Sequence, residues 1–121
     1  MTTVKDEVAG LFERLGRGEL SRPETGPSSG WETPLPSGRV VTRSALEAEA
    51  RALVALGPEA VTYLLPQVLN DNPALRYVAT YALGEITGER PELLHFDRAG
   101  HEEDRARAIE TWRRWYAARQ G

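Results

Sequence analysis

Apolar side chains recur along this chain at helical spacing in separate blocks, parted by glycine and proline. Val4, Val8, Leu11, Phe12 and Leu15 fall at i, i+4, i+7, i+8 and i+11, which lines one face of a helix over residues 3 to 16. Thr3 and Asp6 have the spacing of a capping box, and Gly16 with Gly18 supplies a stop. Leu46, Ala50, Leu53 and Val54 predict a second helix over 44 to 56, with Ser44 and Glu47 as its capping pair. Gly57 ends that helix and Pro58 opens the next, whose apolar face is Val61, Leu64, Leu65, Val68 and Leu69. Pro66 lies inside this third helix, 58 to 69, where it removes a backbone hydrogen bond and predicts a kink. The chain turns at Asn70-Asp71-Asn72-Pro73. Leu75, Val78, Ala79, Ala82, Leu83 and Ile86 then form the cleanest stripe of all, a fourth helix from 73 to 87. The last helix, 102 to 119, carries Ala106, Ile109, Trp112 and Tyr116 in one stripe with Trp115 beside it, and Trp112 is expected inside. Its acids at 102 to 104 and its arginines at 113, 114 and 119 suit the helix dipole at both ends.

Two stretches carry no such period. Residues 17 to 41 alternate Pro23, Pro27, Pro34 and Pro36 with Gly18, Gly26, Gly30 and Gly38, which predicts a long non-helical connection. A connection of this length inside a compact domain is either functional or disordered. Trp31, Leu35, Val40 and Val41 are its apolar exceptions, and Trp31 is either a binding anchor or a pin onto the core. Residues 89 to 101 form a shorter loop bearing Leu93, Leu94 and Phe96.

The middle of the chain, GPEAVTYLLPQVLNDNPALRYVATYALGEITG, resembles a HEAT-type repeat of the short bacterial kind. The likeness rests on Gly57, Ala60, Val61, Leu64, Leu65, Pro66, Pro73, Leu75, Arg76, Ala79, Ala82, Leu83 and Gly84. The family's usual turn aspartate falls on Asn70 and its early proline on Thr62, so Arg76 is expected to pair with Asp71 rather than to join a ladder between repeats. The preceding helix, ALEAEARALVALG, is similar to the second helix of an earlier repeat. The resemblance implies an all-α, short HEAT-like α-solenoid of about five helices: an N-terminal helix (1–16), a Pro/Gly-rich loop (17–41), a HEAT-like core (44–88) and a C-terminal capping helix (102–119). A two-helix repeat cannot hide its apolar faces alone. With about one and a half repeats present, the flanking helices must cover both ends.

Composition narrows the function classes further. A chain of 121 residues is one domain, and its net charge of −3 with mixed signs leaves no basic footprint for nucleic acid. The skew to arginine, with Lys5 the single lysine, reads as genome composition. Cysteine is absent, which excludes disulfides and thiolate metal sites. The start, MTTVKDEVAG, has no apolar core of a secretory signal, and no stretch approaches eighteen apolar residues, so a cytoplasmic protein without a membrane span is expected. His95 and His101 lie near Asp97, Glu102 and Glu103, but their spacing matches no established metal motif. Phosphate-binding glycine motifs and a nucleophile elbow are both missing, so neither cofactor nor catalytic residues are assigned.

What remains is surface. Tyr77 and Tyr81 stand one turn apart with Thr80 between them, away from the Leu75, Ala79 and Ala82 face. In HEAT-like solenoids the second helices line the concave face, so Tyr77, Thr80 and Tyr81, with Trp31 and Trp115, are the expected contacts for a protein partner. The expected role is a non-catalytic interaction or scaffold module. A self-associating subunit is the alternative, and an enzyme of the bilin-lyase kind ranks behind it.

Overall fold

The computed structural model describes residues 3–20, 32–89 and 102–120. Helix α1 (Val4–Gly16) starts at the motif that predicts it. The Thr3 hydroxyl accepts from the Asp6 N–H at 3.1 Å, and the Asp6 carboxylate accepts from the Thr3 N–H at 3.5 Å. Donors left over by the first turn are thus met within the motif. The helix buries Val8, Leu11, Phe12 and Leu15.

The connection after α1 is not wholly irregular, which corrects the all-helical expectation. Strands β1 (Glu32–Pro34) and β2 (Val40–Thr42) pair antiparallel with Thr33 opposite Val41. Between them Leu35 N–H donates to the Arg39 carbonyl and Gly38 N–H to the Leu35 carbonyl, both at 2.8 Å. Each strand is three residues long and buries a single one, Thr33 and Val41. Such short pieces give a two-residue period nothing to repeat on. Leu35 and Val41 enter the core, which accounts for two of the loop's apolar exceptions, while Val40 is exposed and Trp31 lies outside the described residues. The hairpin turn presses on the exit of α1. A Cβ at Gly18 would stand 2.5 Å from Ser37 Oγ, and φ of +84° strains any side chain there, which favours glycine.

Helix α2 (Arg43–Val54) follows β2 directly. Its cap is Thr42, whose hydroxyl accepts from Ala45 N–H at 3.2 Å, and not the Ser44–Glu47 pair. Thr42 is the last extended residue of the strand, with φ −86° and ψ 162°, so the cap falls where the strand hands over to the helix. Gly57 (φ +83°, ψ −169°) then lets the chain bend by 108° into the 58–69 run.

That run is not one kinked α-helix. A 3₁₀ turn at Pro58–Ala60, one α-turn (α3, Val61–Leu64) and a 3₁₀ segment at Leu65–Leu69 follow one another. The 3₁₀ form turns about 120° per residue against about 100° for α, so over five residues the face rotates by about 100°. Val68 remains buried, but Leu69 swings off the expected apolar face and is 53% exposed.

Helix α4 (Pro73–Thr87) is capped by Asn72, whose Oδ1 accepts from Leu75 N–H at 3.1 Å, and it stops at Gly88 in the left-handed region. The Nδ2 of Asn72 donates to the Pro34 carbonyl at 3.0 Å, tying the hairpin to the helix start. Arg76 Nη1 reaches the Asn70 carbonyl at 2.7 Å rather than the exposed Asp71 carboxylate. Helix α5 (Glu102–Gln120) buries Arg105, Ala108, Ile109 and Trp112, while Ala106, placed on its inner stripe by spacing, is exposed.

One core joins these elements, with Leu15, Leu46, Leu53, Leu64, Leu83 and Trp112 among its enclosed side chains. Each such side chain contributes about 1.5–3 kcal/mol of transfer free energy. Helix α4 packs along α2, and α1 and α5 both pack on the 58–69 run, which also touches α4. Residues 58 to 87 contain no strand. No single helix among the described residues is long and apolar enough to cross a membrane.

Candidate functional site

Two surfaces could receive a partner. On α4, Tyr77 and Tyr81 come together as their spacing predicts, with ring centroids 6.1 Å apart and planes tilted by 36°. Both are half-buried, as is Thr80. The Tyr77 hydroxyl donates to Glu47 Oε2 at 2.6 Å, and the Arg43 guanidinium stands 6.0 Å from the ring centroid. Burial, reinforced by the adjacent Glu47 carboxylate, raises the Tyr77 phenol above its ordinary range, with Arg43 opposing. The patch is therefore partly committed to α2: Glu47, expected as half of a helix cap, holds α4 instead.

The second surface was not expected. Two hollows lie along the 58–69 run, bordered by α5 and, at one end, by the start of α1. At one end is a cavity of about 550 Å³ lined by Thr3, Val4, Lys5, Glu59, Thr62, Tyr63 and Tyr116. Beside it is another of about 320 Å³, formed by Thr62, Leu65, Pro66, Leu69, Ile109, Arg113 and Tyr116. Thr62 and Tyr116 line both, so the two hollows adjoin. Tyr63, 38% exposed, lines the first and Leu69 the second, and they are two of the three large apolar side chains exposed among the described residues. The signal in the sequence was Pro66 within an apolar run. It marks where the helix tightens and turns Leu69 outward.

Trp115 is half-buried at a smaller hollow of about 290 Å³ with Glu89, Thr111 and Arg114, and Arg119 stacks 4.9 Å from its ring centroid. Trp112 is enclosed, and its Nε1 donates to the Glu89 carbonyl at 2.9 Å. The histidines considered for a metal, His95 and His101, lie outside the described residues. No group of three or more His, Cys, Asp or Glu that could hold a metal occurs among the described residues.

The chain matches no protein-family model, no curated protein and no solved structure.

Proposed function

We propose that this chain is a non-catalytic protein–protein interaction module of HEAT-like build, and that its principal contact surface is the pair of hollows along the 58–69 run. The observation that carries the reading is the exposed Leu69 at a hollow lined by Leu65, Pro66 and Ile109, with the exposed Tyr63 at the neighbouring hollow. Apolar side chains exposed at such hollows are the anchors of interfaces, where a few enclosed residues supply most of the affinity. The HEAT-like build is supported by how the helices pack in two rows. Helices α1 and α5 flank the 58–69 run in one row, and α2 packs along α4 in the other. Solenoids stack successive helical units on their neighbours, and this side-by-side packing supports that reading. The Tyr77–Thr80–Tyr81 face on α4 is a second, smaller candidate, because its Tyr77 hydroxyl is already engaged by Glu47.

A photo-crosslinking residue placed at Leu69, at Tyr81 or at the exposed Ala117, in the native source, tests the assignment. Covalent protein adducts are expected from position 69 and not from position 117. Adducts from position 81 alone would move the interface to α4, and adducts from neither 69 nor 81 would remove the interaction reading.

A further inference from the structure

We infer that the larger hollow binds a small zwitterion with an apolar body, of the class of an apolar amino acid or a peptide of two or three of them. This goes beyond the interaction reading and does not depend on it. Its basis is a pair of opposite charges that share one hollow without meeting. Lys5 stands in the first turn of α1 and Glu59 in the 3₁₀ turn at Pro58–Ala60, and both line the cavity of about 550 Å³. Helix α1 packs on that turn, so two elements of the fold fix where the charges enter. The two form no ion pair with each other, and neither has a hydrogen-bond or ion-pair partner among the described residues.

A ligand of one sign would be attracted by one of these charges and repelled by the other. A carboxylate and an ammonium in one molecule satisfy both, the carboxylate at Lys5 and the ammonium at Glu59, as in the capture of peptide termini. Thr62, Tyr63 and Tyr116 line the same hollow and bring hydroxyls, which donate and accept.

The apolar body follows from what adjoins. The cavity of about 320 Å³ meets this one at Thr62 and Tyr116 and is lined by Leu65, Pro66, Leu69 and Ile109. Its charged residue, Arg113, is already held by Glu110 at 3.1 Å, so this end asks for no charge. Cavities of about 300–1,000 Å³ are the usual size for small molecules. Lys5 and Glu59 are exposed, and exposed ion pairs each add little, so a dissociation constant of about 1 mM is expected.

Titration of the isotope-labelled full chain with L-leucine at low ionic strength, followed by amide chemical shifts, reads this directly. Saturable shifts are expected at Lys5, Glu59, Thr62 and Tyr116, with the Tyr77–Glu47 contact unmoved. Leucinamide, which lacks the carboxylate, and 4-methylpentanoate, which lacks the ammonium, should each bind at least threefold more weakly. Lys5→Met should weaken L-leucine by the same factor and leave leucinamide unaffected. Glu59→Gln should weaken L-leucine and leave 4-methylpentanoate unaffected, because each loss removes one and the same contact. Both variants are on exposed side chains and are checked for unchanged circular dichroism. Leucyl-leucine, titrated in parallel, separates a peptide from a free amino acid by which binds more tightly, and saturation by either in this pattern supports the inference. Shifts that do not saturate with either ligand up to about 50 mM overturn it. So does binding that no analogue or variant weakens, or shifts confined to other residues. Protein adducts at position 69 bear on the interaction reading alone, whichever way the titration falls.

Discussion

Replacing Tyr77 by phenylalanine separates a structural tie from a free binding anchor. The ring stays, together with its packing on Tyr81, and only the hydroxyl is lost. That hydroxyl donates to Glu47 at 2.6 Å, joining α4 to α2. Hydrogen bonds to a charged group contribute about 1.5–3 kcal/mol when enclosed. Both residues are half-exposed, so water can take over the released Glu47 carboxylate, and the cost falls to about 1 kcal/mol. For a chain of this size that lowers Tm by about 4 °C. Urea denaturation of wild type, Tyr77→Phe, Glu47→Gln and the double variant should give a coupling energy of about 0.5–1 kcal/mol. The phenol also titrates. Its folded-state pKa lies above the ordinary value of 10.0, so between those two values the native state holds a proton that the unfolded chain has lost. Stability is therefore full below about pH 10 and falls as pH rises beyond it, and Tyr77→Phe should flatten that fall. A coupling energy near zero with an unchanged alkaline limb would refute the tie and return Tyr77 to the pool of partner contacts.

Backbone geometry gives a sharper prediction at Gly57. A Cβ there meets nothing within 4 Å, yet φ is +83° and ψ −169°, so Gly57→Ala should cost about 1–3 kcal/mol in chemical denaturation through conformation alone. The same change at Gly16, also open within 4 Å but at the end of α1 without a positive φ, should be neutral or stabilising by about 0.5 kcal/mol. Asn72→Ala loses the α4 cap and the bond to Pro34, about 1–2 kcal/mol in denaturant midpoint analysis, and Asn72→Asp should recover the cap's share. Trp112→Phe shrinks an enclosed side chain and removes its hydrogen bond to the Glu89 carbonyl, and calorimetry should record about 2 kcal/mol lost with no change in the α-helical circular dichroism.

Local signals in the sequence sufficed for the parts of this fold that local forces decide. The Thr3–Asp6 capping box, the Val8–Leu11–Phe12–Leu15 stripe and the start and length of α4 all depend on contacts within one or two turns, and each appears where its pattern lies, whereas α2 ends at Val54, short of the expected stop at Gly57. Periodicity also placed Trp112 inside, because an indole at i, i+3 spacing from Ile109 has few other places to go. What tertiary structure decided concerns partners distant in the chain. Glu47 is an ordinary helix residue until α4, thirty positions on, brings Tyr77 to it. The β1–β2 pair is too short to show a period, and it is held from outside by the Asn72 side chain and by α1's exit at Gly18. Pro66 was legible as a disturbance, but whether it kinks a helix or tightens it into a 3₁₀ turn depends on what packs against Val68 and what leaves Leu69 uncovered. That choice leaves Leu69 exposed at a hollow beside α5. A linear pattern records which residues prefer to be buried, whereas only the assembled chain determines which of them run out of neighbours.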